Sequence, residues 1–235
     1  MTNETDFLKL YQNSSIFVLD ERFSEPIWDY YYNLRSLSKY WFLTKNLIAE
    51  SIFNNSIFKN ASFESSELIS QEIEFEDVDF ENAVGVDGHE IETDLSNIPH
   101  IQRNLILSNV FTMIEKLLKD VCTEIDTNYT LNGKGSYIQQ YYHFIKNNSS
   151  IEVPKKYLRA FEAFGHLRNS YLHQFDLDSV PIISKNYIDE LCGPFVQKVE
   201  GVSNIHVEVL IKIASEFGEQ FQTEYWRDYE NSKKS

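Results

Sequence analysis

The chain has 235 residues, 42% of them apolar, with aromatics alone making up 14%, enough for one sizeable core without disulfide or metal staples. Eight glycines and five prolines are too few for a turn-rich all-β architecture, and the two cysteines, Cys122 and Cys192, have neither CxxC nor Cys/His ligand spacing. The formal net charge of −15 excludes an ordinary basic nucleic-acid-binding surface spread over the whole molecule.

Residues 1–10 carry Glu4, Asp6 and Lys9 and show no basic segment followed by an apolar one, so no secretion signal is expected. No run approaches the roughly 18 apolar residues that cross a bilayer. The cysteine usage fits a reducing compartment, and a soluble cytoplasmic protein is expected.

The first predicted helix covers about 24–53. Ser24 before Glu25-Pro26 suits an N-cap followed by proline in the first turn. Trp28, Tyr31, Tyr32, Tyr40, Trp41 and Phe42 make this helix bulky; an aromatic stripe at helical spacing is more often core or subunit interface than a ligand cage, and the reading kept is core.

An acidic segment follows. Between Lys59 and Arg103 there is no Lys or Arg, while twelve carboxylates fall between Glu64 and Asp94; the rest of the chain holds 24 acids against 21 bases. Residues 72–80 alternate acidic and apolar, the period of a half-buried strand, and 84–91 offer an Asp-Gly turn signal and a second short alternation. A small acidic insertion over about 60–98, forming a β-hairpin or ordered loop, is the expectation. It is either a solvated excursion or an element that repels wrong nucleic acid, covers a site, or binds a basic partner.

A stronger helix is predicted from Pro99 onward. With Arg103 at zero and 100° per residue, Leu107, Val110, Ile114, Leu117, Leu118, Val121 and Ile125 fall within about 60° of one direction. Asn109, Thr112, Lys116, Lys119 and Thr123 occupy the other side. After the turn signal at 132–135, a shorter helix is read over 137–145. Pro154 opens the next, through Lys155 to about Phe175, and two more cover about 185–199 and 205–227, with Gly193-Pro194 breaking or kinking the first. No repeat or linker divides the chain. The expected fold is all-α: a single helical domain over 1–235, with the acidic insertion between early helices and a helical core over about 100–227.

The helix over 155–175 breaks its own pattern. With Lys155 at zero, Arg159, Glu162, His166, Asn169 and His173 lie within about 40° of that direction. Tyr157, Phe161, Phe164, Tyr171 and Leu172 lie on the far side, and Arg168 comes out at about 220°, inside the apolar stripe. A guanidinium there is costly unless it is paired, lines a cleft, or snorkels to water. Either the helix deforms near Gly165 or this face meets a carboxylate, another subunit or a substrate phosphate. His166 and His173 are two turns apart, roughly 10 Å along the axis, too far to share one metal, and no carboxylate takes the HExxH position. His89, His100, His143 and His206 have no ligand spacing. Asn169 and His173 are one turn apart and can touch.

Arg168-Asn169-Ser170-Tyr171-Leu172-His173, late in a helix of an all-α chain, is similar to the HEPN superfamily motif: arginine, four to six residues, histidine, often with Asn, Asp or His after the arginine. An amphipathic helix upstream with Ser108 and Glu115 agrees with that setting, and the resemblance covers roughly 100–225. It implies a homodimer whose two motif helices face one another across a composite site. It further implies metal-independent cleavage of RNA, with Arg168 and His173 catalytic, Asn169 supporting, and no cofactor. On an ideal helix Arg168 and His173 diverge by about 140°, which two copies related by a twofold axis can overcome. Where some family toxins carry a modifiable tyrosine two positions after the histidine, this chain has Phe175.

Two functions follow from this reading. One is an endoribonuclease serving as a toxin or antiviral defence component, with RNA as substrate and an antitoxin or defence-system protein as partner. The other is a non-catalytic HEPN-like interaction module that docks a partner through its acidic segment. A metal hydrolase is disfavoured by the histidine spacing.

Overall fold

Six helices occupy the described residues, and no strand is found among them. The computed structural model describes residues 15–53, 80–131, 133–173, 180–193 and 202–234, with backbone alone for 46–53, 80–97 and 171–173. In chain order the helices are α1 (Glu25–Phe53), α2 (Phe80–Ile125), α3 (Tyr137–Asn148), α4 (Lys155–His173), α5 (Ile182–Cys192) and α6 (Asn204–Ser232).

Periodicity places the core. On α1, Ile27, Tyr30, Leu34, Leu37 and Trp41 recur every three or four residues and are buried. The side of α2 carrying Leu107, Val110, Ile114, Leu117, Leu118 and Val121 is buried too, while Asn109, Thr112, Lys116, Lys119 and Thr123 are exposed, as the wheel expects. On α6, Val207, Leu210, Ala214, Phe217 and Phe221 complete the packing. Phe217 centres an aromatic cluster, with its ring 5.2 Å from Phe161, 5.5 Å from Phe221, 5.9 Å from Tyr157 and 6.3 Å from Tyr30. Tyr30 also donates its hydroxyl to the Ala214 carbonyl at 2.7 Å, which spares the core an unpaired polar group. The aromatics of α1 do not form one buried stripe: Trp41 is buried, Trp28, Tyr31 and Phe42 are half-buried, and Tyr32 and Tyr40 are exposed.

Side-chain capping boxes set two helix starts, and at a third the serine ahead of the helix contributes its backbone carbonyl while its buried Oγ has no hydrogen-bond partner among the described residues. Ser24 precedes α1, and its carbonyl accepts from Trp28 N–H at 3.0 Å. Ser136 and Gln139 form a reciprocal capping box at α3, and Ser203 and His206 do the same at α6. At the other end of α5, the chain leaves the helix through Gly193 at φ 83°, a left-handed value suited to glycine. Helix α5 therefore ends at Cys192, and the expected 194–199 stretch lies outside the described residues.

Two expectations are corrected between the early helices. Residues 84–91 are not a strand but part of α2, and that helix begins at Phe80 rather than near Pro99, which lies inside it. Val84, Ile91, Leu95 and Ile98 are spaced by seven, four and three residues, a helical stripe that outweighs a short alternation. Proline removes one hydrogen bond from a helix, but its fixed φ lies close to the helical value, so the helical path continues across it. The other proposed strand, 72–80, lies outside the described residues except for Phe80, which opens α2.

No helix among the described residues is long and apolar enough to cross a membrane.

Candidate functional site

Helix α4 carries the motif. Tyr157, Phe161, Phe164 and Leu167 are buried on one side, and Arg159, Glu162, His166 and Asn169 are exposed on the other. The helix runs unbroken through Gly165 to His173, so the position of Arg168 does not come from deformation.

Arg168 is half-buried and lies over a ring of the neighbouring helix: its guanidinium carbon is 4.7 Å from the centroid of Phe111 on α2. Its Nε and Nη2 donate to Asn169 Oδ1 at 3.1 and 3.0 Å. The guanidinium is therefore held between an aromatic ring beneath it and the side-chain oxygen of its neighbour. No carboxylate among the described residues is in ion-pair contact with it. Its charge is felt by Glu115, on the same side of α2 as Phe111. Burial pushes the Glu115 carboxyl above the usual carboxylate range, and the Arg168 charge offsets part of that rise.

The hydrogen bonds from Arg168 settle the orientation of Asn169. A guanidinium can only donate, so the Asn169 amide must present its oxygen to it, which leaves the amide NH₂ as a donor pointing elsewhere. Arg168 and Asn169 thus act as a joined pair of donors lining a cleft of about 300 Å³. Leu158, Phe161 and Ile138 form its apolar walls, and Glu115, Gln139 and His166 are among its polar groups. The start of α3 reaches the cleft through the turn at Gly135, whose φ of 107° favours glycine.

The sequence-derived trio is therefore placed in part. Arg168 and Asn169 are in contact and share the cleft. His173 occupies the last turn of α4, and its side chain lies outside the described residues, as do those of Tyr171 and Leu172. Phe175 lies outside them altogether. Of the upstream polar residues, Glu115 belongs to the cleft, whereas Ser108 has a buried Oγ without a hydrogen-bond partner and does not line it. His166, weighed in the sequence only as a metal ligand, stands at the cleft beside Asn169. Among the described residues no group of three or more His, Cys, Asp or Glu is placed to hold a metal ion.

Phe111, Gln139 and Ser136 were not foreseen as part of the site. For Phe111 and Glu115 a signal existed, since they stand at about 80° and 120° on the α2 wheel, on the flank of its apolar stripe. Gln139 and Ser136 are brought in by a turn and a helix start separated from the motif by about two helical segments, which no local spacing reveals.

Comparison of the chain with protein-family models, with curated proteins and with solved structures finds no match.

Proposed function

We propose that this chain is a metal-independent endoribonuclease of the HEPN type, acting as a toxin or antiviral defence component at a site completed by a second copy. The observation that carries the reading is Arg168. A half-buried guanidinium on the apolar side of α4, stacked on Phe111, hooked by Asn169 and lacking an ion-pair partner among the described residues, is prepared for an anion that arrives from outside.

The chemistry is transesterification. Neutral His173, whose ordinary pKa lies near neutrality, takes the proton from a ribose 2′-OH. The 2′-oxygen attacks the adjacent phosphorus, and the bond from phosphorus to the 5′-oxygen of the next nucleotide breaks. A protonated imidazole supplies the proton to that leaving oxygen. Arg168 grips two phosphate oxygens and stabilises the charge gathering on the pentacoordinate centre, and the Asn169 amide adds a neutral donor. The products are a 2′,3′-cyclic phosphate and a 5′-hydroxyl. DNA, lacking the 2′-OH, resists.

The test is incubation of the purified chain with total RNA in EDTA, beside Arg168→Ala and His173→Ala. Cleavage that survives chelation and disappears in both variants supports the assignment; equal cleavage by all three proteins overturns it. A mass measurement in solution tests the composite site, and a strict monomer that still cleaves contradicts it.

A second reading rests on charge. With the acid excess gathered in 64–94 and the remainder near neutral, the chain also suits a non-catalytic HEPN-like interaction module that docks a basic partner, such as an antitoxin or defence-system protein. That reading predicts partner binding that is lost on deleting 64–94 and indifferent to Arg168→Ala.

A further inference from the structure

The cleft beside Arg168 is larger than a phosphate needs. At about 300 Å³ it stands at the small end of the range of small-molecule sites, lined by apolar side chains and a few polar groups. Resting on the endoribonuclease reading above, we propose that it is a nucleobase subsite selecting guanine in the nucleotide whose 2′-OH attacks, with Glu115 as the residue that reads the base.

The argument is one of donors and acceptors. Phe161, with Leu158 and Ile138 beside it, offers apolar surface against which an unstacked base packs. Glu115 brings two carboxylate oxygens, which when ionised only accept. Guanine alone presents two adjacent N–H donors, at N1 and N2, on its Watson–Crick edge. Adenine and cytosine present one amino group beside a ring-nitrogen acceptor, which a carboxylate repels, and uracil presents a single N–H between two carbonyls.

Gln139 supplies the complement. Its Oε1 accepts from Ser136 N–H at 3.3 Å, an arrangement fixed by the α3 capping box. The amide NH₂ is therefore the group left to face the guanine O6 acceptor. A carboxylate and an amide donor on the same cleft match the alternation of guanine's edge, donor, donor, acceptor. Arg168 and Asn169 line the same cleft and are assigned the 3′-phosphate of that nucleotide. A base and phosphate of one nucleotide held together allow binding of the base to position the reacting 2′-OH.

The test is titration of the full-length chain with guanosine, adenosine, cytidine and uridine 3′-monophosphates in EDTA, followed by calorimetry. Guanosine 3′-monophosphate is expected to bind about tenfold or more tightly than the other three, the discrimination of one bidentate pair. Glu115→Gln, which keeps the shape and turns one acceptor into a donor, removes that preference and leaves the other three nucleotides within about twofold. Arg168→Ala weakens all four alike. Equal binding of the four nucleotides by the wild type, or an undiminished guanine preference in Glu115→Gln, overturns the subsite. Should the variant fail to fold, the four-nucleotide comparison on the wild type decides alone. Mapping of RNA cleavage separates the two claims. Selective binding without any cleavage sustains the subsite while the nuclease reading fails. Arg168-dependent cleavage with no preference for the linkage after guanosine sustains the nuclease and overturns the subsite.

Discussion

Replacing Arg168 by alanine separates its two roles, because the structure sets very different magnitudes for them. For stability, the change removes a guanidinium stacked on Phe111 at 4.7 Å and two hydrogen bonds to an exposed Asn169. At a half-buried position the stacking contributes about 0.5–1 kcal/mol. The solvent-facing hydrogen bonds add about 1 kcal/mol or less together. For a chain of this size each kcal/mol moves the melting temperature by about 2–4 °C, so a fall of only a few degrees is expected. For activity, the change removes two charge-assisted hydrogen bonds to a phosphate, at about 1.5–3 kcal/mol each. The kcat/KM for RNA in EDTA should then fall by about two to four orders of magnitude. Arg168→Lys keeps the charge but neither the planar fork nor the stacking, and is expected to fall between the two proteins. The assay pairs initial rates on a fluorogenic RNA with thermal melts of the same samples. Activity of Arg168→Ala within about threefold of wild type refutes the phosphate role. A collapse of the melting temperature by more than about 10 °C instead shows that the residue serves the fold.

Other predictions concern what holds the site in place. His206 is buried under α4, its ring 6.5 Å from Phe164; its Nδ1 accepts from Ser203 N–H at 2.9 Å, and burial pushes its pKa down to about 4. Because this value lies below that of the unfolded chain, the contribution is full above about pH 6.5 and is lost as the pH falls toward 4, by up to about 3 kcal/mol. Urea melts across that window should show a slope that His206→Gln flattens, and an unchanged slope counts against the reasoning. Gly218 lets two rings touch the α6 backbone: a Cβ there would stand 2.7 Å from ring atoms of Phe17 and Tyr30. Gly218→Ala should therefore cost about 1–3 kcal/mol in denaturant melts, where a surface glycine in a helix would gain from the same change. The buried Tyr142 hydroxyl donates to the Val153 carbonyl at 2.8 Å, just ahead of α4, so Tyr142→Phe should lower stability by about 1–2 kcal/mol, read by the same melts.

Much of the fold was legible because helical burial writes itself at a fixed period. The stripe from Leu107 to Val121 and its polar opposite face were read correctly from spacing, as were Ser24 ahead of α1 and the break at Gly193. The region around 84–91 was not. There an alternation a few residues long competes with a helical repeat of the same apolar residues, and Pro99 looks like a start although helix lies on both sides of it. Arg168 was legible as an anomaly, a cation in an apolar stripe, but its explanation was not. Phe111 lies 57 positions away in sequence, and contact between two helices is decided by how their faces pack. Gln139 and Ser136, 29 and 32 positions before Arg168, were hidden for the same reason: they join the cleft through a glycine turn and the start of α3, which no local spacing reveals.

One measurement bears most directly on the central claim. An RNA oligonucleotide cleaved by the chain in EDTA is resynthesised with a single 2′-deoxy residue on the 5′ side of the cleaved linkage, and the products are analysed by mass spectrometry. Transesterification at the Arg168 cleft predicts that the all-ribose strand yields a 2′,3′-cyclic phosphate and a 5′-hydroxyl, and that the deoxy linkage stays intact. Continued cleavage at the deoxy linkage contradicts the account.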